Sequence, residues 1–187
     1  MKRRDWWLRR HHGQKNPARW FLIAMALVAF ACGGPTTPSL PAIAQVAGIW
    51  NATARITAVS GGECLGSLLQ SAIGTTDQFS AAITQNGSSL NATVTSKSSG
   101  SSCGYTGTAG SNSIVLNVSS CQSSDLFGVR CANGALRDMR LQAGAINATV
   151  SGSSGSGTAA NTYNVFVAGT SSGVGILTIN ESVSMTR

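Results

Sequence analysis

Phe79-Ser80-Ala81-Ala82-Ile83-Thr84-Gln85-Asn86-Gly87-Ser88-Ser89-Leu90-Asn91-Ala92-Thr93-Val94 alternates apolar and polar residues on both sides of an Asn-Gly pair. Asn-Gly is favoured in the two-residue loop of a type I′ hairpin because both central positions need positive φ. Setting Gln85 opposite Ser88 places Ile83 opposite Leu90, Ala81 opposite Ala92 and Phe79 opposite Val94. Turn chemistry and the apolar face then agree on one register, since a slip of one residue would turn every side chain over.

The same period of two recurs outward from this hairpin. It is present in Trp50-Ala52-Ala54-Ile56, Leu116-Val118, Ile146-Ala148-Val150, Tyr163-Val165-Val167 and Leu177-Ile179-Glu181-Val183-Met185. These runs are short and separated by Gly, Ser and Asn, and only Cys64 to Ile73 offers a helical stretch. No proline follows Pro41, so every backbone N–H beyond it is free to enter a sheet ladder. The pattern predicts an all-β domain, an antiparallel up-and-down β-barrel of eight or nine strands, with a β-sandwich as the alternative. Closing the sheet would remove its exposed edges.

Ahead of the domain, the twelve apolar residues Trp20 to Ala31 follow a basic segment and precede Cys32. That run is too short to span a bilayer and has the form of a secretory signal. Val28-Ala29-Phe30-Ala31-Cys32-Gly33-Gly34 resembles the lipobox of bacterial lipoproteins. The resemblance implies cleavage before Cys32, lipidation of its thiol and amine, and attachment to a membrane. Gly33 in place of aspartate leans toward the outer membrane of the cell envelope. Ala29-Phe30-Ala31 also suits an ordinary signal peptidase, which would give a soluble periplasmic or secreted protein. The expected organisation is a signal peptide over 1–31, a lipidated Cys32 with a Pro/Gly/Thr/Ser tether over 32–45, and a barrel domain over 46–187.

Charge sorts with these boundaries. Residues 1–31 hold seven of the thirteen basic residues and one of the six acidic ones, so the remainder has six cations against five anions. Nucleic-acid binding needs a basic surface on the folded domain, and this composition does not supply one. Both histidines, His11 and His12, belong to the leader. Beyond residue 31 there is thus no imidazole for a Ser-His-Asp or Cys-His nucleophile or for a histidine-containing zinc site. We expect no catalytic residue, no metal and no cofactor.

Setting Cys32 aside leaves Cys64, Cys103, Cys121 and Cys131, an even set suited to two disulfides in an oxidising compartment. A hairpin around Gly110 to Ser113 that keeps Tyr105 on the face of Leu116 and Val118 turns Cys103 to that face and Cys121 to the other. This parity argues against a Cys103–Cys121 bond and leaves two pairings. The preferred one joins Cys121 to Cys131 across a short loop and Cys64 to Cys103.

Gly48-Ile49-Trp50 opens the first strand and resembles the Gly-x-Trp signature of lipocalins and the wider calycin group. The resemblance implies an eight-stranded barrel whose end is closed by Trp50 beneath a basic side chain of the last strand. Arg187 has the parity of Leu177, Ile179, Val183 and Met185 and fits that position, so Gly48, Trp50 and Arg187 are the expected closure residues. Glu181 interrupts an apolar face, and the alternation Arg137-Met139-Leu141 turns Arg137 inward as well. An unpaired interior charge is costly, so the two read either as a structural ion pair or as anchors for the polar end of a ligand. Tyr105 reads as core or as pocket wall. Asp125, Arg130, Asp138 and Arg140 read as a solvated polar surface. The leading expectation is a non-enzymatic, lipid-anchored barrel that binds a small apolar or amphipathic ligand. The alternative is a structural or protein-binding envelope module, such as a hydrolase inhibitor, with a filled core.

Overall fold

The computed structural model describes residues 42–122 and 125–187. The expected signal peptide over 1–31, Cys32 and the expected tether as far as residue 41 lie outside the described residues. Nine strands follow one another: β1 (Gly48–Gly61), β2 (Thr76–Asn86), β3 (Ser89–Ser96), β4 (Ser102–Ala109), β5 (Ser113–Gln122), β6 (Leu126–Arg130), β7 (Leu136–Ser151), β8 (Ser154–Val167) and β9 (Gly173–Thr186). Between β1 and β2 lies the short helix α1 (Cys64–Leu69), continued by a single 3-10 turn at Gln70–Ala72.

Each strand pairs antiparallel with its chain neighbour except at β6. There β5 pairs directly with β7, Ser113–Asn117 against Ala145–Thr149, and β9 pairs with β1. Eight strands thus form a closed antiparallel barrel, and β6 is an extra strand carried on the first residues of β7.

The Phe79 to Val94 hairpin forms with a register two residues away from the expected one. Ile83 faces Ala92, Ala81 faces Val94 and Asn86 faces Ser89, which makes Gly87-Ser88 the loop. Gly87 alone in that loop has positive φ, 59°, as in a II′ turn with glycine in its first central position. A shift of two preserves the face, so Ala81, Ile83, Leu90 and Ala92 are buried as the alternation requires.

The second correction concerns the disulfides, which join Cys64 to Cys131 and Cys103 to Cys121. The parity argument holds as far as Tyr105, which faces Val118. Just beyond, a bulge sets Gly104 opposite Ser120 and leaves Ser119 as the additional residue, so Cys121 comes directly opposite Cys103. One inserted residue reverses the face of everything after it.

Strand length divides the barrel into unequal halves. β1, β7, β8 and β9 have 14 to 16 residues, whereas β3 and β4 have eight each. At roughly 3.3 Å per residue, six extra residues carry the long strands about 20 Å further. The inner face of that extension needs a cover, and α1 with the β6–β7 turn supplies it. Val59, Leu65, Met139, Val165 and Leu177 form a small second core there with Cys131. The Cys64–Cys131 bond fastens the helix to the turn. Gly66 allows α1 to approach β1, since a Cβ at that position would lie 2.0 Å from the Gly61 carbonyl oxygen.

The opposite end is closed by the segment that precedes β1. Val46 N–H donates to Gln85 Oε1 at 2.8 Å, Gln85 Nε2 donates to Ala44 O at 2.9 Å, and Ala44 N–H donates to Gly110 O at 2.8 Å. Trp50 lies above this crossing segment, wholly buried, with Nε1 donating to Val46 O at 2.8 Å. Truncating a core indole to Ala costs about 3–5 kcal/mol, so this contact is a large part of any small domain's stability.

Two measurements check the crosslinks. Mass mapping under non-reducing conditions is expected to recover Cys64 joined to Cys131 and Cys103 joined to Cys121. The bonds close loops of 67 and 18 residues in separation, for which chain entropy gives upper values of about 4 and 3 kcal/mol. Replacing Cys64 and Cys131 together by Ser should therefore lower the denaturant midpoint more than replacing Cys103 and Cys121.

Candidate functional site

Small residues at inward positions decide what the barrel encloses. Ala52, Ala54, Ala81 and Ala159 face the axis on neighbouring strands, and side chains of that size do not meet across it. The result is a cavity of about 470 Å³ inside the ring. Its floor is Trp50, with Ile83, Ile114 and Met185 around it. Its lining ends at Ser98, Ser99 and Leu126, which are exposed, so the cavity opens to solvent at that end. A volume of this order, apolar below and with few polar groups above, is usual for a small-molecule pocket.

The polar groups converge in the upper half. Glu181 on β9 and Asn161 on β8 both project inward, and Asn161 Nδ2 donates to Glu181 Oε2 at 3.3 Å. A carboxylate has about four acceptor sites, so this single contact satisfies only part of its capacity. Burial raises the Glu181 carboxyl above the usual range, and the negative charge of Asp77 raises it further. Tyr105 is raised by burial and then by Glu181, and Tyr163 is pushed up to about 12, first by burial and then by Glu181, Tyr105 and Asp125. Asp77 is nearer the mouth, where Ser96 Oγ donates to its Oδ2 at 2.9 Å and the Gln78 N–H donates to its Oδ1 at 2.8 Å.

Of the anticipated ligand contacts, the structure places Tyr105 and Glu181 on the cavity wall and puts Arg137 elsewhere. Arg137 has inward parity but stands at the start of β7, in the extension beyond the barrel. There its Nη2 meets Glu63 Oε2 at 3.2 Å and its Nη1 donates to Leu136 O at 3.1 Å. Strand length, which alternation does not encode, separates it from Glu181. Asn161, Tyr163 and Asp77 complete the polar group. Asp77 has the parity of Phe79 and Ala81, and Asn161 and Tyr163 have that of Val165.

Gly48, Trp50 and Arg187 meet at the closed end. The Arg187 guanidinium carbon stands 5.2 Å from the centre of the Trp50 ring, and Nη1 donates to Ala47 O at 2.8 Å. Gly48 has φ of 130°, a conformation that L side chains rarely adopt, and a Cβ there would approach Arg187 Cδ to 3.4 Å. Cation and indole face are thus in contact range.

Of the four residues read as a polar surface, Arg130 is exposed as expected, whereas Asp138, Asp125 and Arg140 need correction. Asp138 is 3 % exposed and accepts the Gly128 and Gly169 N–H groups at 2.9 Å each, which together hold its carboxyl below the usual range. Asp125 accepts the Leu141 N–H at 3.2 Å, and Arg140 lies 4.6 Å from the centre of the Phe166 ring. These residues secure β6 and the β8–β9 turn to β7. Among the described residues, no three His, Cys, Asp or Glu side chains come together to hold a metal ion.

Glu181 and Asp138 should give opposite dependences of stability on pH. A carboxyl raised by folding favours the folded state below its ordinary pKa and loses that benefit as pH rises through the raised value. Glu181→Gln is therefore expected to raise Tm at neutral pH and to converge with the parent below about pH 4. A depressed carboxyl contributes above its ordinary pKa and loses that contribution as pH falls through the depressed value. Asp138→Asn should lower Tm at neutral pH, with the difference vanishing only in strong acid. Calorimetric scans of both variants across pH check the pair.

No protein-family model, no curated protein and no solved structure matches this chain, so its own geometry and chemistry carry the functional reading.

Proposed function

We propose that the protein is a non-enzymatic carrier or receptor for a small amphipathic molecule, held inside the barrel and displayed at the cell envelope by a lipid on Cys32. The cavity of about 470 Å³ carries this reading. A barrel serving only as a scaffold gains from filling its interior, because unfilled volume forfeits packing energy. Here Ala occupies several positions where a larger apolar residue would close the space. The placement at the envelope is supported by the lipobox resemblance and by two disulfides, which belong to oxidising compartments.

Recognition of a protein partner is a second reading with one observation in its favour. Leu126 and Phe127 on β6 are 52 % and 66 % exposed beside the cavity mouth, on a strand whose only partner among the described residues is β7. An apolar edge of that kind is available for pairing with another chain.

Titration of the full chain with the neutral probe N-phenyl-1-naphthylamine separates the readings. The expected result is saturable binding of one probe per chain, accompanied by a co-purifying small molecule in native mass spectra after gentle extraction. Ala54→Phe, which places a ring in the middle of the lumen, should weaken the probe by about tenfold or more without lowering Tm. Absence of saturable uptake together with absence of any bound mass would discard the carrier and leave surface recognition.

A further inference from the structure

Every charge beyond the leader can be placed, and the placement is uneven. Arg137 meets Glu63, Arg140 lies over Phe166, Arg187 lies over Trp50, and Arg55 donates to Gly74 O. Lys97 donates to Asn51 Oδ1, and Arg130 is exposed on β6. None of these six cations lines the cavity. Asp138 and Asp125 accept backbone N–H groups outside it. The two remaining acids, Asp77 and Glu181, both line it. Among the described residues, the lumen therefore contains two carboxyl groups and no basic side chain.

We infer that the lumen takes a cationic amphiphile, an amine or ammonium group on an apolar body, with the cation at Glu181 and the body directed toward Trp50. The inference rests on the carrier reading above and specifies its ligand. An apolar floor alone would accept a neutral molecule equally well, so the enclosed acids are what discriminate. A buried carboxyl with one amide donor and a second acid nearby is improved by a positive charge more than by any neutral group. An anion would add a third like charge to a space with no countercharge. Tyr105, Tyr163 and Phe79 also turn aromatic surface to the same lumen, and such faces attract cations strongly once water is excluded. Glu181, Asn161 and the two tyrosines lie well above the floor, which leaves the apolar part of the cavity for the body. A bound ammonium group stabilises the ionised Glu181 carboxylate, so binding at fixed pH releases to solvent whatever proton that carboxyl carried.

The test uses the full chain loaded with N-phenyl-1-naphthylamine, displaced in turn by n-octylamine, n-octanol and octanoate at neutral pH. Octylamine is expected to displace the probe at a concentration about tenfold below that of octanol, and octanoate at a higher one. Glu181→Gln should bring octylamine to within about threefold of octanol, and Asp77→Asn should act in the same direction with a smaller effect. Equal displacement by octylamine and octanol, or displacement by octanoate at least as strong as by octylamine, would overturn the cation assignment while leaving the carrier in place. A chain that takes up neither the neutral probe nor octanol would overturn both. Retention of the octylamine preference in the doubly substituted chain would show that the carboxyls are not its source.

Discussion

The pairing of β5 with β7 is the constraint on which the molecule depends. Ser113–Asn117 and Ala145–Thr149 are separated in the chain by β6 and its turns, yet their hydrogen bonds turn a nine-stranded ribbon into a ring. Without that seam the alanine-lined faces of β1, β2 and β8 would be a wet groove, and two edge strands would present unpaired backbone. The ring, by contrast, satisfies its backbone groups internally and holds its walls apart by geometry. That is why small inward residues are tolerated. The void is maintained by ladders of hydrogen bonds, and the side chains inside are free to serve another purpose.

Closure also explains the placement of the irregular elements. A chain passing directly from β5 to β7 would leave no means of reaching the extended half of the barrel. The detour through β6 supplies the turn bearing Cys131, which together with α1 covers the projecting strands. The bulge beside Gly104 falls just after Asn117, the last β5 residue paired with β7. It also turns Cys121 toward Cys103, which clamps the end of the hairpin before the chain leaves the ring.

Alternation was a reliable guide to facing and a poor one to depth. Trp50, Ala81, Ile83, Leu90, Val183 and Met185 all proved to be interior residues, because a strand with one buried face must repeat every second position. The hairpin loop lies one residue further on than expected, which moves the cross-strand register by two; Asn86-Gly87 and Gly87-Ser88 both satisfy a tight turn, and the apolar face cannot tell an even shift from none. The disulfides were mispaired for the complementary reason, since a bulge adds one residue with no mark in the sequence that distinguishes Ser119 from its neighbours. Arg137 was correctly turned inward but assigned to the wrong level. Asp138 carries no local signal at all, since its two amide donors come from Gly128 in β6 and Gly169 in the β8–β9 turn, 10 and 31 residues away. The interior acid on β9, in contrast, was visible from a single polar letter in an otherwise apolar row.

The crossing segment at residues 42–47 fixes a direction as well as a seal. The polypeptide arrives at the base of the cup, beneath Trp50, and the rim of Ser98, Ser99 and Leu126 is at the far end. Chain entry and cavity mouth are therefore at opposite ends of the ring, so a molecule admitted at the rim would pass Glu181 and Asn161 before it met the indole.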